Sequence, residues 1–309
     1  MGCSWTYGVG VGYDENTMLN QKDTVLSEYT KENYNSFKGK DYPSYDNFLK
    51  NRTNKNYFQD HVLKELLEQF SSNAAGNKRY RDIAWHEPTA NEYSFRGIIS
   101  KSLDLENNNF SVGGSSNDLQ FHRMSCIFGN PALRKKFLKS NPIVLWGITS
   151  TGRIMRNGTS IMLDPEIGID VPPAQKKYVE LYLQLGYYDH KQLLESLSHQ
   201  IEMWNILFEK YNIPVLWFDT FNTHDYKIKP RNFLPGGDLL TQMLNMNKSK
   251  FSKALGKYHY STWRADDSRI NEGIRLKLLN PISMHPTKEG HKLISKILMP
   301  YITKLRGKQ

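Results

Sequence analysis

The sequence contains only two cysteines, Cys3 and Cys126, among its 309 residues. Neither belongs to a Cys-x-x-Cys pair, and neither lies near a histidine pattern of the kind that binds zinc. This shortage argues against a disulfide-stabilised fold and against a structural metal ion. We therefore expect neither a disulfide nor a structural metal ion.

Long apolar runs are also missing. The longest segments, such as IPVLWF and PIVLWG, are far shorter than the ~20 residues that span a bilayer. No charged segment followed by an apolar one opens the chain in the manner of a secretion signal. We expect a soluble protein without a membrane span, located in the cytoplasm or in a virion.

The sequence has only a moderate excess of positive charge: 41 Lys and Arg against 31 Asp and Glu give a net charge of +10. The basic residues are scattered, and the densest run is the triplet Arg134-Lys135-Lys136. A solvated basic surface explains this pattern, and an anionic substrate such as an acidic polysaccharide is the alternative. A nucleic-acid partner is not expected, because the net charge is the only feature of the sequence that would support one.

The apolar residues that are present alternate between two patterns. Helical spacing occurs at 95–103, 116–124, 131–140, 174–187, 190–211 and 287–305. Short continuous apolar runs at 143–147 and 214–218 are typical of buried parallel strands. Strands separated by helices predict an α/β fold, in which a central parallel sheet forms a three-layer α/β/α sandwich within a single domain, 1–309.

Two stretches interrupt this pattern. Residues 14–90 are rich in Tyr, Asn, Lys and Asp, with one amphipathic segment at 58–70, and we interpret them as an insertion or lid outside the sheet. Residues 150–173 contain Asn157-Gly158, a strong signal for a two-residue hairpin turn. This second stretch predicts a hairpin-like insertion over the edge of the sheet.

Three segments carry residues suited to chemistry. The opening GCSWTYG places Ser4 between small residues, where a strand would turn into a loop at the ligand-binding edge of a parallel sheet. The segment NFSVGGSSN holds Gly114 in a glycine-rich turn, which could simply cap a helix that begins near Ser116. The segment HPTKEGH, with His285 and His291, leads into the last amphipathic helix.

In their order along the chain, these segments resemble the blocks of the SGNH (GDSL-like) hydrolase family, whose fold is a flavodoxin-like sandwich. The resemblance implies that Ser4 is the nucleophile and that His285, the histidine before proline, is the general base. It further implies that the amide of Gly114 binds the substrate oxyanion, and that His291 is structural. Cys3 stands where the family usually has aspartate.

Two positions depart from the family pattern. Thr149 follows the apolar strand in the position of an oxyanion-binding asparagine, and its hydroxyl can donate one hydrogen bond, as in some phage-borne members. Ile282 stands where an aspartate should orient His285. We name Asp219, at the end of the second strand, as the first candidate to replace that acid; a backbone carbonyl is the alternative. Asp266 and Asp267 are further candidates.

The resemblance predicts a serine esterase or acyl hydrolase, which would need neither a metal nor a cofactor. Its substrate would be an ester-bearing small molecule or an acylated polysaccharide, and the enzyme would be a carbohydrate O-deacetylase in the second case. The alternative is an SGNH scaffold that has lost catalysis and acts as a binding or structural protein, for instance in a virion. Aromatic residues of the insertion, such as Tyr42 and Tyr45, would then stack on sugar rings. No feature of the sequence indicates an oligomeric state.

Overall fold

The computed structural model describes Thr6 and residues 87–111, 115–156, 159–163, 173–185, 189–221, 223–226, 230–247, 268–279 and 285–307. Ser4, Gly114, Asn157-Gly158 and the segment 58–70 lie outside these residues. Of the predicted insertion 14–90, only its last four residues are described, and they belong to a helix.

Helices and strands alternate along the described chain. The helices are α1 (Glu87–Tyr93), α2 (Phe95–Leu103), α3 (Asn117–Gly129), α4 (Pro131–Lys139), α5 (Pro173–Gln184), α6 (His190–Lys210), α7 (Leu239–Met246), α8 (Ser268–Arg275) and α9 (Lys288–Arg306). The strands are β1 (Val144–Ile148), β2 (Arg153–Arg156), β3 (Thr159–Met162) and β4 (Val215–Asp219). The chain is therefore of the α/β class, as the apolar pattern predicts.

β1 and β4 form a small parallel sheet. Their register pairs Val144 with Val215 and Ile148 with Asp219, and the ladder begins with a 2.8 Å bond from Val144 N to the carbonyl of Pro214. Both strands are continuous apolar runs, since each packs against helices with both of its faces. The predicted parallel pairing of the two strands is confirmed.

Alternate residues of the two strands divide between two hydrophobic clusters. Leu216 and Phe218 belong to the first, which we call the α9 cluster because it also contains the buried residues of α2, α7, α8 and α9. Val215 and Trp217 belong to the second, the α6 cluster, together with buried residues of α3 and α6. Successive side chains of a strand point to opposite faces of its sheet, so the two clusters lie on opposite faces.

β2 and β3 form a second, antiparallel pair directly after β1. Their register joins Arg153 to Met162 and Arg156 to Thr159. The pair flanks Asn157-Gly158, where the sequence predicts a hairpin turn. Ile154 is buried beneath it with Val179 of α5, so this hairpin has its own small apolar cluster.

Several helices begin at side chains that cap their free backbone amides. The capping residues are Ser94 for α2, Ser116 for α3, Asn130 for α4, Asp189 for α6, Asp238 for α7 and Thr287 for α9. Each accepts a hydrogen bond from an amide two or three residues later, which fixes where the helix starts. Within the described residues, no helix combines the length and the apolar character needed to cross a membrane.

Candidate functional site

The carboxyl ends of β1 and β4 meet at a polar edge. Thr149 and Ser150 follow β1, while Asp219 and Thr220 lie at the end of β4, and all four are buried. Thr220 donates from its amide and from its hydroxyl to the carbonyl of Ile148, at 3.2 and 2.9 Å. The edge at which parallel sheets bind ligands therefore carries buried polar groups here.

Thr149 is held rigidly at this edge by Asn117, the first residue of α3. The amide of Thr149 donates to Asn117 Oδ1, and Asn117 Nδ2 donates to the carbonyl of Thr149, each at 2.9 Å. The hydroxyl of Thr149 accepts from Arg153 Nη1 at 3.3 Å. Accepting that bond leaves the hydroxyl proton available for donation.

Asn117 is a functional candidate that the sequence reasoning did not identify. It is 5% exposed and lies immediately after the capping residue Ser116. The hydroxyl of Ser116 accepts from the amide of Leu119 at 3.2 Å, so a helix does begin next to Ser116, as the amphipathic pattern predicts. The sequence did hold a signal, because Asn117 follows directly after the glycine-rich turn that contains Gly114.

Thr6 connects the opening segment to the same edge. It is 2% exposed. A Cβ placed on Gly147 would lie 2.6 Å from Thr6 Oγ1, and 2.9 Å from both Phe218 Cε2 and Thr220 Cγ2. Thr6 therefore packs directly on the backbone of β1, one residue before that strand ends, at a point where only glycine leaves room.

His291 is buried in the α9 cluster. It accepts a 3.3 Å hydrogen bond at Nδ1 from the amide of Phe95, and the two rings stack with centroids 5.8 Å apart. Burial, followed by the positive charges of His285 and Arg96, lowers the pKa of His291 to about 3. His291 therefore stays neutral near pH 7 with its Nδ1 occupied by a backbone amide, while its Nε2 atom has no hydrogen-bond partner among the described residues.

His285 is half-buried in the loop before α9, where the next residue, Pro286, bridges to Leu279. Phe95 links His291 to Phe218, because the Phe95 ring centroid lies 5.8 Å from that of His291 and 6.0 Å from that of Phe218. Phe218 in turn adjoins Gly147. A continuous set of contacts thus runs from His291, six residues after His285, to the edge where Thr6 packs.

Asp219 does not serve His285 in the way that the sequence led us to expect. Its Oδ1 atom lies 2.7 Å from Nδ1 of His224 and accepts from the hydroxyl of Tyr226 at 3.1 Å, while Oδ2 accepts from the amide of His224 at 3.0 Å. The reason is the alternation of β4. Asp219 shares the face of Val215 and Trp217, in the α6 cluster, whereas α9 packs on the other face.

His224 is therefore paired with a buried carboxylate. Its side chain is 2% exposed, and its Nε2 atom has no hydrogen-bond partner among the described residues. Burial, followed by the charge of Asp219, raises the pKa of Tyr226 well above its ordinary value, so the phenol stays neutral and donates. An imidazole held at Nδ1 by a carboxylate presents Nε2 as an acceptor. Sequence spacing alone gave no reason to single out His224.

The segment after β4 is fixed by a buried ion pair between Asp238 and Arg269. Arg269 Nη1 lies 2.9 Å from Asp238 Oδ2, and Arg269 Nη2 donates to the carbonyl of Phe221 at 3.2 Å. The hydroxyl of Thr223 donates to the same carboxylate oxygen at 2.7 Å. Burial raises the pKa of Asp238 against the opposing effect of Arg269. This network anchors the loop that carries His224.

The described residues contain no group of three or more His, Cys, Asp or Glu side chains placed to hold a metal ion. Comparison with protein-family models, with curated proteins and with solved structures found no match to this chain.

Proposed function

We propose that this chain is a serine ester hydrolase of the SGNH type, in which Ser4 attacks the acyl carbon of an ester. The observation that carries the proposal is the packing of Thr6 on Gly147. Ser4 precedes Thr6 by two residues, so at most about 8 Å separates their Cα atoms. We infer from this short connection that the nucleophile acts at the edge at which Thr149 is clamped.

The proposed reaction uses only protein groups. His285 takes the proton of Ser4 as the Ser4 Oγ–acyl bond forms, and returns it to the departing alcohol as the ester C–O bond breaks. Water then attacks the acyl-enzyme through the same two steps, with His285 again moving the proton. The amides of Ser4 and Gly114 and the hydroxyl of Thr149 stabilise the oxyanion, a contribution worth ~10²–10³ in rate for one donor.

The fold proposed around this site is the three-layer α/β/α sandwich. Its support is the division of the sheet between the α9 cluster on one face and the α6 cluster on the other. In the proposed arrangement residues 14–90 cover the serine edge as a lid, and the hairpin of 150–173 lies beside it. The substrate is an ester-bearing small molecule or an acylated polysaccharide.

Two histidines compete for the role of base. His285 has the expected place in the sequence, with Ile282 where its orienting acid should be. His224 has the expected partner, because Asp219 lies 2.7 Å from its Nδ1. We assign the base to His285, since it precedes Pro286 as the resemblance requires, and we propose that a backbone carbonyl holds its Nδ1. His224 is the alternative within the same function.

A binding or structural role on a scaffold that has lost catalysis is the second candidate. One specific observation favours it. Asp219, the first substitute for the missing acid, is committed to His224 and Tyr226, and losing the orienting acid costs on the order of 10⁴ in rate in serine proteases. In this case the polar edge would recognise a ligand without transforming it.

The decisive experiment is labelling of the whole chain with a fluorophosphonate, which reports an activated serine without knowledge of the substrate. We expect labelling of the unmodified protein, equal labelling of Ser102→Ala and none of Ser4→Ala. Ser102 is a suitable control because it is an exposed serine whose hydroxyl bonds its own helix. Absence of labelling in the unmodified protein, with no hydrolysis of varied acyl esters, favours the binding role.

The same assay separates the two bases. His285→Gln should slow labelling by several orders of magnitude, since removing the base costs about 10⁶ in a serine protease, whereas His224→Gln should affect mainly stability. The reverse pattern would assign the base to His224. Asp219→Asn should then follow His224→Gln in its effect on labelling, because the two side chains act as one unit.

A further inference from the structure

A cavity of about 420 Å³ lies beside β1, and no described residue of β4 lines it. Ile99 and Ile302 of the α9 cluster form part of its lining, and so do Met124 of the α6 cluster and Phe137, which packs against that cluster. The two clusters cover opposite faces of the sheet. The cavity therefore lies in the plane of the sheet, next to β1 and between the two layers of helices.

Two stretches of consecutive residues form much of the remaining lining. They are 105–111, between α2 and α3, and 140–145, which leads into β1. A side chain holds the first stretch in place, because Arg96 Nη1 donates to Asn107 Oδ1 at 2.7 Å. Ser100, also on the lining, donates its hydroxyl to carbonyls of its own helix. A cavity bordered by two such stretches and covered by helices on both faces matches the place of one further strand, and we call it the β1 slot.

Backbone groups along both stretches are unpaired. The amide and carbonyl groups of Ile143 and of residues 106–110 form no hydrogen bond with any described residue. On the other side of the sheet β4 is paired, since Trp217 donates to the carbonyl of Asn232 at 3.0 Å and accepts from the amide of Leu234 at 2.8 Å. Unpaired groups along a strand edge are a template for another strand. The β1 slot is therefore suited to an extended backbone.

The two faces of the β1 slot determine the side chains of that strand. Successive side chains of a strand point to opposite faces, so they would meet Ile99 and Ile302 on one face and Met124 and Phe137 on the other. A strand covered on both faces by apolar layers needs a continuous apolar run, typically of about five residues.

The 309 residues contain no further run of that kind. Four or more consecutive apolar residues occur only at 143–146 and 215–218, and these runs already form β1 and β4. Both strands are built into the core, so a second copy of the chain could not donate either of them without unfolding. Neither these residues nor a second copy of them supplies the strand.

We propose that the β1 slot binds an extended, continuously apolar segment of a partner polypeptide, which pairs with the start of β1 and adds a strand to the sheet. Backbone hydrogen bonds to Ile143 and to residues 106–110 supply affinity, and the apolar faces select the side chains, as in other cases where a peptide extends a sheet. The partner takes no part in ester chemistry, so this proposal is independent of the esterase function.

The probe is a synthetic peptide of five alternating valines and isoleucines with two glutamates at each end, titrated into the whole chain by calorimetry. We expect saturable binding at a ratio of one to one. A peptide with proline at its central position should bind at least tenfold more weakly, because proline cannot donate to a strand ladder. A peptide with serine at every second apolar position should also bind at least tenfold more weakly, since one of its faces is polar. Equal binding of all three peptides, or no binding, would overturn the proposal.

Hydrogen exchange locates the bound peptide. The apolar peptide should slow exchange at least tenfold at several of the amides of Ile143 and 106–110, which have no described acceptor. The amide of Asp225, in the loop after β4, likewise has no described acceptor and should not change. Binding without protection of these slot amides would place the peptide elsewhere and contradict the proposal. Protection that appears on raising the protein concentration without peptide would assign the β1 slot to a second copy, which also contradicts it.

Filling the β1 slot provides matched variants. Ile127→Trp enlarges a half-buried side chain of the lining and should weaken peptide binding at least tenfold. Ile206→Trp makes the same change on the exposed face of α6 and should leave binding intact. If Ile127→Trp does not fold, Leu133→Trp at the exposed rim of the cavity takes its place. Unchanged affinity in the folded, filled variant would show that the peptide does not enter the β1 slot.

Discussion

Replacement of Gly147 by alanine tests the contact on which the candidate site depends. The added methyl would meet Thr6 Oγ1 at 2.6 Å and carbons of Phe218 and Thr220 at 2.9 Å, all closer than non-bonded atoms allow. Overpacking of this kind typically costs about 1–3 kcal/mol. Because Phe218 is buried in the core, we expect Thr6 to be displaced, and Ser4 with it.

The measurements are urea unfolding and the rate of fluorophosphonate labelling. Gly147→Ala should lower the free energy of unfolding by about 1–3 kcal/mol and slow labelling by more than the loss of folded protein explains. Gly129→Ala is the matched control, since its added methyl meets no atom within 4 Å. Gly129 ends helix α3, so Gly129→Ala should leave the free energy of unfolding unchanged or raise it by about 0.5–1 kcal/mol.

A double variant identifies the atom responsible. Thr6→Ala removes the closest contact, so Thr6→Ala combined with Gly147→Ala should lose less stability than the two single changes added together. Strictly additive losses would show that Thr6 does not lie on Gly147. A Gly147→Ala protein with unchanged stability and labelling would refute the geometry of the site.

Three further predictions concern the surroundings of the site. Arg269→Ala leaves Asp238 buried without its cation, and should cost about 3–5 kcal/mol in urea unfolding, more than loss of an exposed pair. The pKa of His291 is lowered to about 3, so its contribution to stability is complete above the unfolded value near 6.5 and is lost as pH falls toward 3; His291→Asn should flatten the acid side of the stability profile. Asn117→Ala leaves the buried amide of Thr149 unbonded, which should cost about 1–3 kcal/mol and slow labelling, whereas unchanged labelling would separate the Asn117 clamp from catalysis.

The elements that the sequence predicts well share one property. Their apolar periodicity is strong and is bounded by a capping residue or a turn, as at α2, α6 and α9. The two buried strands are recognisable because each is a short continuous apolar run. Burial on both faces requires such a run wherever the strand lies in the sheet, so the local pattern alone is sufficient.

The helices α1, α7 and α8 were not predicted. They are seven or eight residues long, which is too short to show a clear period beside irregular chain. Their stability comes from contacts that are distant in sequence. α8 is tied to α7 by the Arg269–Asp238 pair, and α1 contacts α2 and α9. Short helices depend on tertiary packing rather than on intrinsic propensity.

The partner of Asp219 shows the same limit at the site. The sequence correctly places this aspartate at the end of a buried strand, but it does not say which layer of the fold the carboxylate enters. That choice follows from the alternation of β4 and from which helices cover each face. Only the assembled sheet puts Asp219 with His224 and Tyr226, on the face opposite α9.

The sequence by itself determined the α/β class, the two parallel strands and most of the helices that cover them. These follow from local periodicity and residue type, which act over a few residues. The tertiary structure decided the Asn117 clamp on Thr149, the Thr6–Gly147 contact and the Arg269–Asp238 pair. Each of these joins atoms from separate elements, and their distances are set by the packing of the whole core.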